Sequence, residues 1–440
     1  MSKLFKIITL GCKVNQYESA FIEESLVNKG CQMAGQDKKA DLVIINGCIV
    51  TATASYQSRQ AIRRAIRENP QAIITVAGCY GQVFPDELSK INGVDLIIGN
   101  KGKNSVPELL VNVIHHNPPL IVMEDFAASE TFEQIPVKSF SKRTRAFLKI
   151  QDGCQSFCTY CIVPMARGPL RSLEPDNVIT ILKDLEKNDY REIVLTGIHL
   201  GKYGSDLTNG IDLTQLLIEI GKNTTGLRIR LSSLKPTEIK TELIELMVSN
   251  NWLCRHFHIS LQSGDDSVLK RMNRHYTAGM FIKLIDDIHR LVPEVSIGVD
   301  VLVGFPGESE RSFNNTFELL KDLPVSYLHV FPYSKREGTA AAQFSDHLDH
   351  KVIKERAFLL RSLDKEKRRI FRDSLVGQTF SVLAEGWATK ERNLIWGLSD
   401  NYVRFYFPSE SLIKNKMVKA KAESVTEKGI IAQRVGLLRA

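Results

Sequence analysis

Cys154, Cys158 and Cys161 fall in the run Asp152-Gly-Cys-Gln-Ser-Phe-Cys-Thr-Tyr-Cys161, with three and then two residues between successive thiols. Three thiolates so spaced can hold three corners of a cubane iron–sulfur cluster. The next cysteine is Cys254, far down the chain. One iron would therefore stay open to a ligand, whereas electron-transfer clusters usually carry four protein thiolates. An open iron implies chemistry at the cluster. Zinc is the first alternative, but zinc sites take four N/S ligands, often as two C-x-x-C pairs. Cys158 and Cys161 form one such pair, and the chain has no second. A disulfide framework is the other alternative, and eight cysteines in 440 residues are too sparse for one.

A second set of cysteines is spread more widely. Cys12, Cys48 and Cys79 each follow a glycine, in Gly11-Cys12, Gly47-Cys48 and Gly78-Cys79, and each pair ends an apolar run. Any one of them could be an inert buried thiol. Three at the same place in three strands is harder to explain that way, and glycine permits the close backbone approach a bulky cofactor needs. Cys31 and Cys254 share no such pattern and read as packed or free thiols.

These residues need elements to position them. Lys6–Leu10, Asp41–Ile45 and Ala72–Ala77 read as strands, with amphipathic helices near Glu18–Lys29 and Ser55–Glu68 between them. Alternating strands and helices argue for a parallel sheet, whose functional groups gather at the carboxyl ends of the strands. That edge would carry Cys12, Cys48 and Cys79 together. Residues 1–135 thus read as one α/β domain. Residues 136–149 read as a polar, basic linker carrying Lys138, Lys142, Arg143, Arg145 and Lys149 with no acid, either solvated or open to phosphates.

The pattern then repeats over 145–373. Strands are expected at Ala146–Ile150, Glu192–Leu195, Leu227–Leu231, Phe257–Leu261, Ile297–Val303 and Tyr327–Phe331, with helices between them and a charged amphipathic helix trailing over about 348–374. Six β/α units suggest a partial barrel, since a full one has eight. The cysteines at 154–161 follow its first strand, where barrel enzymes place their chemistry. Other strand ends carry Thr196-Gly-Ile-His199, Ser232-Ser233, Gln262-Ser-Gly264 and Gly304-Phe-Pro-Gly-Glu308, candidates for gripping a cofactor or simply turn residues. Residues 374–440 read as a small all-β barrel of the OB-like kind. From Arg372 onward there are eleven Lys/Arg against seven Asp/Glu, with Trp396, Tyr402, Phe405, Tyr406 and Phe407 among them. That mixture suits RNA, and equally a small barrel's core.

Composition is that of an ordinary soluble globular protein, 43% hydrophobic and 25% charged, with a formal net charge of +8 that permits a polyanionic partner. No export signal is expected, and no apolar run approaches the ~18 residues of a membrane span. Reduced thiols in the cytoplasm are the expectation.

The C-x-x-x-C-x-x-C run with Tyr160 before its last cysteine resembles the radical SAM superfamily. Gly11-Cys-Lys-Val-Asn-Gln16, Asn46-Gly-Cys48 and Ala77-Gly-Cys79 resemble the N-terminal domain of the methylthiotransferases. The stretch from Asp152 to Gly168, Ser260-Leu-Gln-Ser-Gly264, Lys270-Arg-Met-Asn-Arg274, Gly304–Glu308 and the terminal β segment continue the match over essentially the whole chain. The resemblance implies an α/β chain made of a parallel-sheet N-terminal domain, a partial (β/α)6 radical SAM barrel and a C-terminal TRAM domain. It implies two [4Fe-4S] clusters, one on Cys154, Cys158 and Cys161 and an auxiliary one on Cys12, Cys48 and Cys79. It also implies S-adenosylmethionine held by Tyr160, Thr196, Ser233, Gln262 and Asp300. Gly11–Gln16 and Leu195-Thr-Gly-Ile-His-Leu-Gly201 look most like the branch that adds a methylthio group at C2 of N6-threonylcarbamoyladenosine-37 in the anticodon arm of tRNA. That branch implies a reductant such as a flavodoxin or ferredoxin, no membrane and a monomer. Gly47 is one departure, since many relatives carry Thr there. Rival readings are the isopentenyl-adenosine branch, a branch acting on a ribosomal protein aspartate, and a non-catalytic iron–sulfur RNA-binding protein.

Overall fold

The structure is a computed structural model, and it describes every residue except 1, 36, 128–129, 141–142, 390–392 and 438–440. The first sheet is formed by β1 (Leu4–Thr9), β2 (Gln32–Met33), β3 (Leu42–Gly47), β4 (Ile73–Gly78), β5 (Leu96–Ile98) and β6 (Leu120–Val122), in the order β2-β1-β3-β4-β5-β6. Every pairing in it is parallel. The three cysteine-bearing strands are its adjacent centre. The register aligns Thr9 with Asn46 and Gly47 with Gly78, so their carboxyl ends finish together. The extra strands β2, β5 and β6 are only two or three residues long, too short to leave a periodic signal.

The second unit holds β7 (Arg145–Asp152), β8 (Arg171–Ser172), β9 (Glu192–Gly197), β10 (Arg228–Leu231), β11 (His256–Gln262), β12 (Ser296–Val303) and β13 (Tyr327–Pro332). The strands run in two arcs, β10-β9-β7-β8 and β11-β12-β13, joined by the single bridges Ile229–Leu253 and Leu234–Ile259. All six expected strands are present, and β8 adds a short antiparallel edge to β7. The trailing helix is His350–Asp373.

The C-terminal strands β14 (Thr379–Trp387), β15 (Leu394–Ser399), β16 (Arg404–Pro408), β17 (Met417–Thr426) and β18 (Gly429–Leu437) close into a barrel in the order β14-β15-β16-β18-β17. Its aromatics divide: Phe405 and Phe407 fill the barrel core, while Trp396 and Tyr402 line a cleft outside it. One carboxylate orients the docking of this barrel on the core. Glu192, fully buried, pairs with Arg228 and Arg230. Arg228 donates to the carbonyls of Ser381 (2.9 Å) and Leu398 (3.0 Å), and Arg230 to those of Ser399 and Asp400 (both 2.9 Å).

The segment read as a basic linker, solvated or open to phosphates, departs from that expectation in part: Lys138 and Arg143 are exposed, but Val137 and Phe140 are not. Ile135, Val137 and Phe140 are buried in a hydrophobic core that runs from the first sheet into the β7–β13 arcs. Tyr17 donates to the Ile135 carbonyl (2.6 Å), and the Phe140 amide donates to Tyr190 (2.7 Å). Lys149 lies inside β7 on Asp152 (2.9 Å), and Arg145 pairs with Glu385 (2.7 Å). Most of the acids that balance these cations are distant in sequence, which is why the run looks uncompensated on its own. Lys142 lies outside the described residues. No helix among the described residues is long and apolar enough to cross a membrane.

Candidate active site

Each of the first three cysteines stands where a central strand gives way to a turn or helix. Cys12 caps the helix Lys13–Asn28, and Cys79 opens the short helix Cys79–Val83. A Cβ on Gly11, whose φ is +98°, would lie 2.7 Å from Cys48 Cβ and 2.9 Å from its sulfur. The glycine is therefore what lets the loops of Cys12 and Cys48 meet. Gly47 behaves similarly: a Cβ there would press on Tyr80 Cβ at 3.2 Å, so a Thr at this position would need Tyr80 to yield. Asn15 ties the loops by donating to Leu10 O (2.9 Å) and Gly47 O (3.2 Å). The Cys48 thiol is pushed up to about 11, by burial first and then by the negative charges of Cys79 and Cys12. Cys12 and Cys79 are thus near enough for their charge to reach Cys48.

Cys79 receives hydrogen bonds from Arg167 Nε (3.3 Å) and Asn100 Nδ2 (3.5 Å). Arg167 belongs to the barrel unit, on the helix Val163–Arg167 just after the second cysteine run, and is 0% exposed. Its guanidinium also donates to Glu18 (2.6 and 3.2 Å) and Asn15 (2.7 Å) on the helix after Cys12. Two buried carboxylates here face four cations: Glu18 takes Arg167, Lys103 and Lys149, and Asp152 takes Lys149, Arg167 and Arg171. Burial alone would raise Glu18, but Arg167, Lys103 and Lys149 outweigh it and bring it down to about 2. The surplus cationic charge reaches Cys79 through Arg167, as a site built on thiolates requires.

The second cysteine run leaves β7 through Gly153. Burial opposes ionisation of Cys154, but hydrogen bonds from His199 (Nδ1 to Sγ, 3.6 Å) and Ser156 hold it down at about 7. His199 is oriented in turn by Glu238. Arg274 donates to Cys158 (3.6 Å). Cys161 is pushed up to about 12 by burial and by the charges of Cys158 and Cys154. The charges of Cys154 and Cys158 reach Cys161, and the donors around these thiols suit an anionic cluster. Spacing and periodicity assign no role to His199, Glu238, Arg274, Arg167 or Glu18. The signal in the sequence is that Arg167, His199 and Arg274 lie inside the runs Asp152–Gly168, Thr196–His199 and Lys270–Arg274.

A cavity of about 200 Å³ joins the two halves. It is lined by Val50 and Thr51, just past Cys48, and by Tyr160, Cys161, Gln262 and Asp300 from the barrel unit. Ala52 N donates to Ser334 Oγ (2.8 Å) across the same seam. Gln262 closes β11 with φ +72°, a left-handed conformation worth about 1–3 kcal/mol of strain for a residue other than glycine, and such strain collects at functional sites. Asp300 accepts from His258 Nε2 (2.6 Å) and faces His329 Nδ1 (3.5 Å). Burial would raise its pKa, and the two histidines hold it well below the carboxylate range. These three side chains lie within 4.8 Å of one another, with Asp300 bonded to His258, and His329 46% exposed at the edge. Thr196 and Ser233 do not line the cavity: Thr196 is buried in β9 in register with Lys149, and Ser233 follows β10, both in the other arc.

The arcs, and a cysteine loop leaving the first of their strands, define a radical SAM enzyme, and residues 148–320 match the family described as Radical SAM superfamily. Residues 4–99 match Uncharacterized protein family UPF0004. The solved structure of the radical S-adenosylmethionine methyltransferase TsrM from Kitasatospora setae shares the fold, with TM-score 0.54 at 14% identity over 76% of this chain and 75% of that one. The threonylcarbamoyladenosine tRNA methylthiotransferase MtaB of Bacillus subtilis is 39% identical over 94% of this chain and 92% of its own. Its namesake from Aquifex aeolicus is 38% identical over 90% and 94%. A tRNA-2-methylthio-N(6)-dimethylallyladenosine synthase from Pelotomaculum thermopropionicum is 32% identical over 94% of each. The chain belongs to the radical SAM methylthiotransferase family.

Proposed function

We propose that this enzyme adds a methylthio group to C2 of N6-threonylcarbamoyladenosine at position 37 of tRNA. The observation that carries the reading is a cavity between the two units, lined by Val50 and Thr51 just past Cys48 and by Cys161. An aromatic C–H bond offers no acid–base route at neutral pH, so a radical generator and a sulfur carrier must share one substrate. Two [4Fe-4S] clusters with S-adenosylmethionine would supply reductive cleavage of the sulfonium and a seat for the transferred sulfur.

Cys154, Cys158 and Cys161 are the proposed ligands of one cluster, and Cys12, Cys48 and Cys79 of the other. Arg167 and Asn100 hold Cys79 in place, and Arg274 and the His199–Glu238 pair do the same for Cys158 and Cys154. Tyr160, Gln262 and Asp300 surround the space for S-adenosylmethionine beside Cys161, with Thr196 and Ser233 further out in the neighbouring arc.

The closed C-terminal barrel serves as a TRAM domain in this reading. A cleft of about 350 Å³ between it and the core is lined by Arg145, Arg368, Arg372, Arg404 and Lys428 with Trp396 and Tyr402. Cations interleaved with aromatic faces suit phosphates and stacked bases. Arg404 already lies 4.8 Å over the Trp396 ring. A tRNA substrate goes with a cytoplasmic monomer served by a flavodoxin or ferredoxin. The test is mass spectrometry of nucleosides made by anaerobically reconstituted enzyme on tRNA with and without the threonylcarbamoyl group. Product only on the modified RNA is expected. Equal product on both, or product only on dimethylallyl-modified RNA, would overturn the substrate.

A further inference from the structure

Three donor atoms outside both cysteine trios meet on one face of the second arc. His258 on β11, Asp300 on β12 and His329 on β13 stand on three adjacent strands, with Asp300 in register with His329. His258 Nε2 (2.6 Å) and His329 Nδ1 (3.5 Å) both face the same carboxylate oxygen, Asp300 Oδ1. Asp300 also lines the cavity between the two units.

A hydrogen-bonded pair accounts for two of these groups but not for the third. At 3.5 Å, His329 Nδ1 is beyond the roughly 2.7–3.2 Å of an N–H···O bond. Its ring forms no hydrogen bond among the described residues, yet it is turned on the carboxylate. Two ligands of one zinc ion, each about 2.0–2.2 Å from the metal, stand about 3–3.5 Å apart. An ion between the three donors would satisfy His329 and open the His258–Asp300 pair by roughly half an ångström.

The surroundings hold the donors as ligands are held. Gly298 is in register with His258, and a Cβ there would lie 2.0 Å from Tyr327 Cζ. The missing side chain seats Tyr327, whose hydroxyl contacts His258 Nδ1 (3.1 Å) and His256 Nε2 (2.8 Å). His258 is therefore tied through Nδ1 and turns Nε2 toward Asp300, as metal-binding histidines are oriented through their second nitrogen. The half-exposed ring of His329 leaves a path for an ion to enter. Two neutral imidazoles and one carboxylate suit zinc, and three protein donors leave a coordination position open.

We propose that His258, Asp300 and His329 bind one divalent cation of the zinc class, separate from the six cluster cysteines, with its open position available to an anionic oxygen ligand from the cavity.

The test uses full-length enzyme with both clusters reconstituted anaerobically, so that the cluster thiols are occupied. Zinc chloride is the probe. Zinc and iron per chain are measured after desalting, and the zinc X-ray absorption spectrum is recorded. Wild type should keep about one zinc at full iron, with only nitrogen and oxygen neighbours at about 2.0–2.2 Å. Tyr327→Phe should weaken zinc binding by about 10-fold and His329→Ala by about 100-fold or more, both at unchanged iron. A wild type that keeps no zinc, sulfur neighbours at about 2.3 Å that place the zinc on cysteines, or His329→Ala with wild-type affinity would each overturn the inference. If His329→Ala loses iron, His329→Gln decides on the same readings: weakened zinc binding at full iron supports the site, and wild-type affinity overturns it. None of these outcomes touches the substrate reading.

Discussion

Replacing Arg167 with Met should uncouple the two halves of the site. The guanidinium makes its short hydrogen bonds to Glu18 (2.6 and 3.2 Å) and Asn15 (2.7 Å), with a longer one to Cys79 (3.3 Å). Taken singly, hydrogen bonds to charged groups contribute about 1.5–3 kcal/mol each, but bonds sharing one group do not add. Truncating one partner of a buried pair costs about 3–5 kcal/mol, a large fraction of the roughly 5–15 kcal/mol that holds a domain folded. At roughly 2–4 °C per kcal/mol for a unit of about 150–250 residues, the melting transition should fall by roughly 6–20 °C. Met matches the stem of Arg but leaves Glu18 with only Lys103 and Lys149. Arg167→Lys keeps the charge and loses the fork, so it should fall between the two. The assays are an anaerobic melt, iron per chain, and nucleoside product. Because Arg167 donates to Cys79, the first cluster should be lost at lower temperature or chelator concentration than the second. A Met variant that melts within about 1 °C of wild type, with full iron and product, would refute the coupling.

Three further outcomes follow from the same geometry. Changing Cys12, Cys48 and Cys79 together to Ala should leave about half the iron and retain reductive cleavage of S-adenosylmethionine, whereas changing Cys154, Cys158 and Cys161 should abolish that cleavage; full iron in the first variant would contradict the assignment. Arg404→Ala and Lys428→Ala in the basic cleft should weaken RNA binding and lower the slope of log K against log salt by roughly one for each phosphate no longer neutralised, as read by binding titrations at several salt concentrations; an unchanged slope would move the RNA elsewhere. Glu192 is held well below the ordinary carboxylate range, because Arg230 and Arg228 outweigh the effect of its burial. Its folded pKa is depressed, so its contribution is fully present above the unfolded value of about 4.3 and is lost as pH falls through the folded pKa. Trp396 fluorescence at the junction should therefore be flat from neutral pH to about 5 and change only below about 4, while Glu192→Gln should loosen the junction already at neutral pH.

Much of this protein is legible in its sequence because the signals are local. A triplet spaced C-x-x-x-C-x-x-C keeps its thiols within eight residues, so a single loop can bring them together. Apolar runs each closed by Gly-Cys announce parallel strands, and parallel strands finish at one edge, so Cys12, Cys48 and Cys79 can be placed together before any coordinates. The six barrel strands come from the same periodicity, and residues 374–440 read as a small all-β barrel without all of its strands being located. Tertiary structure decided the rest, because charge balance and burial are not local properties. Arg167 meets Glu18 across 149 residues, and Arg230 reaches the terminal barrel across 169. No periodicity encodes such a pairing, since its energy depends on a desolvated geometry that exists only once both strands are in place. For the same reason the basic run at 136–149 reads as a solvated linker, although Lys149 is buried against acids and Ile135, Val137 and Phe140 are core. Composition does not say which tail aromatics are core and which face a cleft; barrel closure turned Phe405 and Phe407 inward and left Trp396 and Tyr402 outside. The sequence determined which residues can hold the chemistry, and the fold determined which charges surround them, because only packing removes water and makes each unpaired charge costly.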